Sequence, residues 1–129
     1  MPSGLSHVAM SVATGTLTDQ YRTDLLAFYG ELFGWHELEA LRRPDRLTIS
    51  VGKYTYLNVR ERPEPMVCFG YEHFGIVVPS SEEVERLWRV LDGETREVNL
   101  EPLSDGNGGL TTFRFRYLLP LAVEVQAFS

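Results

Sequence analysis

Apolar and polar residues alternate along four short stretches of the chain, the pattern expected of strands that are buried on one face only. In residues 7–12 two valines and a methionine share one face, and His7 shares the other with two small residues. Residues 73–78 repeat this arrangement around His73. The other two stretches set Asn58 and Glu124 opposite their apolar neighbours. The pattern predicts four strands, each with a polar side chain on one face.

The two pairs of strands are related by one shift along the chain. The interval is 73 − 7 = 66 residues from His7 to His73, and 124 − 58 = 66 from Asn58 to Glu124. The segments between these points differ in length, so the equality is partly coincidental. A duplicated unit nevertheless places equivalent strands in equivalent positions. The repeat therefore predicts two copies of one unit whose polar residues converge on a shared site.

Each half also contains one predicted helix. The first is expected from about Thr23, as N-cap, to Gly34, after a polar connection over residues 13–22. The second follows a capping box at residues 80–83 and ends at Gly93.

Further strands are expected after each helix. In the first half they cover 37–41, 47–51 and 54–60, and in the second 97–100, 110–117 and 121–128. The Gly-rich segment 104–109 is expected to be a flexible loop. A proline-punctuated linker at 62–65 separates two modules, 1–61 and 62–129. The predicted class is α+β, with the order strand, helix and three strands occurring twice (βαβββ).

Composition narrows the range of partners. The chain has 129 residues, of which 43% are hydrophobic, and its formal net charge of −6 argues against a nucleic-acid interface. No apolar run is long enough for a membrane span, and a single cysteine, Cys68, excludes an intrachain disulfide. We expect a cytoplasmic protein that acts on a small molecule, without nucleic-acid or membrane partners.

Two histidines at equivalent repeat positions, together with a carboxylate, suggest a metal site. His7, His73 and Glu124 are residue types that bind first-row divalent ions. A lone strand histidine is more typical of a hydrogen-bonded structural residue, so both interpretations stay open on the residues alone.

The order strand, helix and three strands occurs twice, and a histidine begins the first strand of each half. This arrangement resembles the vicinal oxygen chelate superfamily, which includes glyoxalase I, extradiol dioxygenases, fosfomycin-resistance enzymes and bleomycin-binding proteins. Residues 7–12, 28–35, 73–76 and 122–125 carry the resemblance. It implies modules that form a curled, cup-like mixed sheet. It also implies that metal-ligand positions fall on His7, Asn58, His73 and Glu124.

Asn58 departs from the pattern of glyoxalase I, in which a glutamate at this position binds metal and transfers a proton. An amide cannot accept that proton near neutral pH, so glyoxalase I chemistry is disfavoured. The remaining ligands, two histidines and a carboxylate, favour Fe(II) or Mn(II), with Zn(II) or Ni(II) as alternatives. The resemblance then suggests a metal-dependent enzyme that acts on an oxygen-chelating substrate.

An extradiol-type dioxygenase is the first hypothesis for the reaction. A lyase, isomerase or transferase of the glyoxalase or fosfomycin-resistance type is an alternative. A metal-free protein that binds drugs, of the bleomycin-resistance type, is another.

Tyr56, Asn58 and Arg114 are the predicted substrate-binding residues, because alternation places Tyr56 and Asn58 on the ligand face and favours the same for Arg114. A solvent-facing role for Arg114 stays open. A homodimer is expected, because a half-unit of this size buries too little apolar surface by itself and must pack against another unit or chain. The sequence leaves open whether the modules pair within one chain or between two.

Overall fold

The computed structural model describes residues 4–128, apart from the side chains of residues 106 and 107. The chain divides between Val67 and Cys68 into two compact units. The module boundary expected after residue 61 stays a prediction. No helix among the described residues has both the length and the apolar character to cross a lipid bilayer.

The first unit contains one helix and a four-stranded sheet. Its elements are β1 (His7–Ala13), α1 (Asp19–Phe33), β2 (His36–Glu37), a 3-10 turn (Glu39–Leu41), β3 (Arg46–Ser50) and β4 (Tyr56–Arg62). The strand order is β1-β4-β3-β2, with β1 parallel to β4 and the other pairs antiparallel. The strand predicted at 37–41 is therefore wrong in part, because residues 39–41 turn away from the sheet.

The second unit repeats this plan with one more strand. Its elements are β5 (His73–Val77), α2 (Ser81–Asp92), β6 (Asn99–Leu100), β7 (Ser104–Asn107), β8 (Leu110–Arg116) and β9 (Ala122–Phe128). The order is β5-β9-β8-β6, and β7 pairs with β8. Each unit thus has its own mixed sheet, and the predicted α+β class is confirmed. The first unit has the predicted βαβββ order, and the second has the same order with strand β7 added.

Strand β7 corrects the expectation of a flexible loop at 104–109. Asn107 pairs with Leu110, so only two residues connect β7 to β8. Both are glycines, and both have positive φ, 67° at Gly108 and 76° at Gly109. Two positive φ values in succession are what a two-residue hairpin turn needs, and glycine adopts them without strain. The glycines therefore make a tight turn between paired strands.

Helix α1 begins five residues earlier than predicted. Thr18, not Thr23, is its N-cap, because the Thr18 hydroxyl accepts the Tyr21 N–H at 3.1 Å. The predicted end is confirmed: Gly34 has a φ of 76° and donates its N–H to the Gly30 carbonyl at 2.9 Å. The extra turn contains Arg22, a charged residue that is only 5% exposed.

Helix α2 agrees with its prediction at both ends. The Ser80 hydroxyl accepts the Glu83 N–H at 3.2 Å, and Gly93 follows the last turn. Its apolar stripe of Val84, Leu87 and Leu91 is buried. Packing of that stripe supplies the main stabilisation of a short helix of this kind.

The apolar strand faces form the core of each unit, as the alternation predicts. In the first unit the buried apolar strand residues are Met10, Val12, Leu47, Ile49, Leu57 and Val59. In the second they include Phe113, Phe115, Val123 and Val125. The polar residues between them consequently lie on the opposite face of each sheet, where the candidate site residues are found.

Candidate functional site

In the first unit, His7 lies beside Tyr56. Strands β1 and β4 pair in parallel with His7 opposite Tyr56 and Ala9 opposite Asn58. The His7 and Tyr56 rings stack with centroids 4.9 Å apart and an angle of 7° between their planes. The Ser6 hydroxyl lies 2.8 Å from His7 Nδ1. Stacking and this hydrogen bond both favour this orientation of the imidazole.

Asn58 holds a polar atom with no partner. Its Oδ1 is buried, and no hydrogen-bond donor reaches it among the described residues. A buried acceptor without a partner is unfavourable by about 1–3 kcal/mol. Natural proteins seldom retain such an atom unless a ligand or ordered water completes it. The amide is therefore suited to receive a donor from a bound molecule.

The second unit places His73 and Glu124 in the equivalent register. Strands β5 and β9 pair in parallel, with His73 opposite Ala122 and Gly75 opposite Glu124. A shift of 66 residues converts each β1–β4 pair into one of these pairs, for example 9 + 66 = 75 and 58 + 66 = 124. Glu124 is therefore the structural equivalent of Asn58, and His73 that of His7.

His73 and Glu124 approach each other without a hydrogen bond. His73 Nε2 lies 3.6 Å from Glu124 Oε1, which is too far for a hydrogen bond, and both side chains are about one-fifth exposed, at 22% and 20%. His73 Nδ1 lies 2.5 Å from the Tyr71 carbonyl oxygen. A carbonyl oxygen can only accept, so Nδ1 must carry the proton it donates. In the neutral imidazole, Nε2 then has a lone pair beside the carboxylate.

This donor pair fits a divalent cation. Ligand atoms held roughly 2.0–2.2 Å from one metal ion lie about 3–3.5 Å apart, close to the observed separation. A histidine that donates its other ring N–H to a backbone carbonyl has the orientation found in metal-bound histidines. The chemistry and spacing of His73 and Glu124 are therefore those of two neighbouring ligands.

Arg114 lies directly across from Glu124 on the adjacent antiparallel strand. Its Nη2 donates to Glu101 Oε1 at 3.1 Å, and its Cζ lies 5.8 Å from the centroid of the Tyr71 ring. A small pocket of about 140 Å³ adjoins these groups. It is lined by Glu101, Pro102, Ser104, Thr112, Phe113, Arg114 and Glu124. Arg114 is thus placed to offset negative charge beside Glu124.

The predicted residues therefore assemble in two groups. His7, Tyr56 and Asn58 lie together in the first unit, and His73, Arg114 and Glu124 in the second. Within residues 4–128, neither unit by itself gathers three histidine, cysteine, aspartate or glutamate side chains that could hold a metal ion. The three-residue ligand set stays a prediction, since His7 belongs to one unit and its partners to the other.

Two larger depressions, of about 510 and 530 Å³, lie in the first unit. One adjoins Arg22 and the other adjoins His36, and neither is lined by a predicted site residue. The Arg22 guanidinium already donates to four backbone carbonyls. Size alone therefore does not indicate the functional site in this protein.

Comparison with known proteins finds similar structures. No family model matches the sequence, and no curated protein matches it either. The fosfomycin resistance protein FosX from Listeria monocytogenes, in complex with Mn(II) and sulfate, matches with a TM-score of 0.71 and 20% identity over 100% of this chain and 93% of that one. The chain has the vicinal oxygen chelate fold. The resemblance predicted from the sequence is thereby confirmed at the level of fold.

Other proteins of this fold match equally well. Lactoylglutathione lyase from Agrobacterium tumefaciens is 20% identical, with a TM-score of 0.69 over 98% of this chain and 94% of that one. A glyoxalase/bleomycin resistance protein/dioxygenase family enzyme from Burkholderia phytofirmans is 15% identical, with a TM-score of 0.68 over 96% and 98%. These proteins carry different names, so the vicinal oxygen chelate fold does not select one activity.

Two residues near the candidate ligands escaped the sequence analysis. Tyr71 lies in the segment before β5, where proline and glycine indicate only a connection. Glu101 follows the short strand β6. Tyr71 precedes His73 by two residues, which on an extended chain puts both on one face, so alternation could have identified it. No local pattern indicates that Glu101 meets Arg114, because that contact joins distant segments.

Proposed function

We propose that this protein is a divalent-metal-dependent enzyme that acts on a small substrate with two adjacent oxygens. The arrangement of His73 and Glu124 carries the proposal: an Nε2 lone pair lies 3.6 Å from a carboxylate oxygen, with the ring oriented by a backbone carbonyl. His7 would complete the ligand set, supplied by the first unit of the same chain or of a second copy. The Mn(II) complex of FosX supports a metal in this fold.

A bound divalent ion would supply Lewis acidity, which stabilises negative charge on substrate oxygens. The chain's own residues have separate roles. The Tyr71 carbonyl keeps the proton of His73 on Nδ1 and so keeps Nε2 free to bind. Arg114 offsets the charge of an oxyanion on the Glu124 side, and Glu101 holds the guanidinium in place until substrate arrives.

Asn58 and Tyr56 are proposed to position the substrate. The unpartnered Asn58 Oδ1 would accept a hydrogen bond from a substrate hydroxyl, which removes the unfavourable burial of that atom. Tyr56 covers one face of His7 and prevents the ring from rotating away. The Asn58 amide cannot act as a proton acceptor near neutral pH, so its contribution is to binding and orientation.

Metal binding is the first test. Isothermal titration of chelator-treated protein with Mn(II) is expected to show about one ion per chain. Glu124→Gln and His73→Ala are each expected to weaken binding at least about 100-fold, because loss of a ligand exceeds the 10–100-fold effect typical of its supporting partners. Glu101→Gln is the matched control, since it removes a nearby carboxylate that contacts Arg114 but is not a proposed ligand. Equal affinities in Glu124→Gln and Glu101→Gln would contradict the proposal.

For the reaction, we infer an extradiol-type dioxygenase from the two-histidine, one-carboxylate set. Protein loaded anaerobically with Fe(II) is expected to consume oxygen when given catechols, and Glu124→Gln is expected to abolish the uptake. An oxygen electrode measures it. If the protein binds Mn(II) yet consumes no oxygen with any catechol in a broad panel, a lyase, isomerase or transferase reaction replaces the dioxygenase.

A metal-free binding protein is the second candidate. It is favoured by the absence of three clustered ligands within either unit over residues 4–128. In that case Asn58 and Arg114 would hold a polar ligand directly. Failure of Mn(II) to bind the wild-type protein would select this function.

A further inference from the structure

Tyr71 presents an aromatic ring to solvent immediately beside the proposed ligands. The residue is 77% exposed. Its ring meets the His73 ring edge-on, with centroids 5.4 Å apart and an angle of 86° between the planes. The Arg114 guanidinium carbon lies 5.8 Å from its centroid. Most aromatic side chains are buried or flanked by apolar groups, whereas this one is flanked by two polar site residues and leaves ring surface open.

The backbone that carries Tyr71 is tied down on both sides of the residue. The Tyr71 carbonyl accepts from His73 Nδ1. Glu72 Oε2 accepts the Phe69 N–H at 3.2 Å, and the Glu72 carbonyl accepts the Ala122 N–H at 3.3 Å. Gly70, with a φ of 110°, provides the turn between Phe69 and Tyr71. The ring is thus exposed, but the backbone that carries it is held by hydrogen bonds. This restraint lowers the conformational entropy that is lost when the ring contacts a ligand.

The equivalent position in the first unit has no aromatic ring. The residue 66 positions earlier is Leu5, since 71 − 66 = 5, and it is 73% exposed. Both copies therefore expose an apolar side chain two residues before the histidine. Only the copy that also contains the carboxylate ligand Glu124 has a π face there, and it adds a second exposed ring, Phe69, which is 88% exposed.

We propose that Tyr71 is a specificity-determining residue that stacks on a planar ring of the substrate. The inference rests on the proposed function and deepens it: the substrate carries its chelating oxygens on, or next to, an aromatic ring. A ring held by its oxygens near His73 comes within reach of the Tyr71 ring, since the two side chains are in contact. Offset stacking is favourable for two such rings. Arg114, over Tyr71, adds attraction for an electron-rich or anionic ring.

The test compares two chelators that share one head group, benzohydroxamate and acetohydroxamate, which differ only in phenyl against methyl. Tyr71→Ala is expected to weaken benzohydroxamate binding to the Mn(II)-loaded protein about fivefold to tenfold, the equivalent of one stacked pair. Acetohydroxamate binding is expected to stay unchanged. Tyr71→Phe keeps the ring and is expected to bind both as the wild type does. Leu5→Ala is the matched control at the equivalent exposed position. Titration calorimetry supplies all the affinities.

The outcomes separate the two proposals. If Mn(II) does not strengthen the binding of either hydroxamate, the proposed function fails. Ring stacking is still supported in that case if the metal-free protein prefers benzohydroxamate and Tyr71→Ala removes the preference. Equal weakening of both hydroxamates in Tyr71→Ala, or equal losses in Tyr71→Ala and Tyr71→Phe, would show that the residue only supports Arg114 or His73. Absence of any ring preference in the wild-type protein would also overturn the inference. Circular dichroism of each variant checks that it is folded.

Discussion

Arg22→Met is expected to lower the free energy of unfolding of the first unit by about 3–5 kcal/mol, the largest stability effect of any single change considered for this chain. The Arg22 side chain is 6% exposed, and its guanidinium donates to the carbonyls of Leu17, Arg43, Pro44 and Arg46 over 2.7–3.3 Å. Its Nη1 also lies 3.8 Å from Glu37 Oε2. Methionine preserves much of the side-chain volume but removes all four of these hydrogen bonds, although the Arg43 and Arg46 carbonyls each keep a backbone N–H as partner.

Arg42→Met is the matched control for that measurement. Arg42 pairs with the same carboxylate, Glu37, through two hydrogen bonds of 2.8 and 2.9 Å, but its side chain is 50% exposed. Solvent screens an exposed pair, so this change is expected to lower the free energy of unfolding far less than Arg22→Met does. Urea denaturation followed by tryptophan fluorescence reports the difference, because Trp35 is buried in the first unit. If both variants lose the same free energy of unfolding, the buried hydrogen bonds of Arg22 do not stabilise the first unit more than the exposed ion pair of Arg42 does.

Arg22 also explains why the start of α1 was mispredicted. A charged residue before Thr23 fits a polar connection, and the hydrophobic pattern begins only at Leu25. The helix extends back to Asp19 because carbonyls at residues 43–46 satisfy the guanidinium. That compensation comes from a turn more than twenty residues away. Helix α2 was predicted correctly because its cap, its stripe and its terminal glycine are all local signals.

The candidate site was also predictable only in part from local signals in the sequence. Alternation places His73 and Glu124 on the face opposite the core, because a strand with one buried face leaves its polar residues on the other. For Arg114 alternation alone left a solvent-facing role open. The repeat of 66 residues also predicts which residues are equivalent, and the two parallel registers agree with it. The proton position on His73 depends on a local contact, because the Tyr71 carbonyl lies only two residues away along the chain. The anchoring of Arg114 by Glu101 joins two segments thirteen residues apart, and no local pattern in the sequence indicates it.

The same equivalence leads to the largest expected gain in metal affinity. On the proposed ligand set, Asn58→Glu is expected to strengthen Mn(II) binding about 10–100-fold, because a carboxylate at the position equivalent to Glu124 would add an anionic oxygen ligand. The change extends a buried acceptor that has no partner among the described residues. It also supplies the carboxylate that the resemblance associates with glyoxalase I. Titration calorimetry with Mn(II) measures the gain, and 10-fold corresponds to about 1.4 kcal/mol.

Asn58→Gln is the matched control that separates charge from side-chain length. Glutamine has the length of glutamate without its charge, and we expect no gain in Mn(II) affinity from it.

The same substitution to glutamate is expected to change stability. Without metal, a carboxylate at this partly buried position lacks a compensating cation, so the metal-free Asn58→Glu protein is expected to be less stable than the wild type by about 1–3 kcal/mol. Saturating Mn(II) is expected to reverse that loss, because a ligand that binds only the folded state stabilises it. Thermal unfolding with and without Mn(II) detects the reversal. If Asn58→Glu stays destabilised in Mn(II) and binds it no better than Asn58→Gln does, residue 58 lies outside the metal's reach, and the equivalence of the two units extends to their backbones but not to their chemistry.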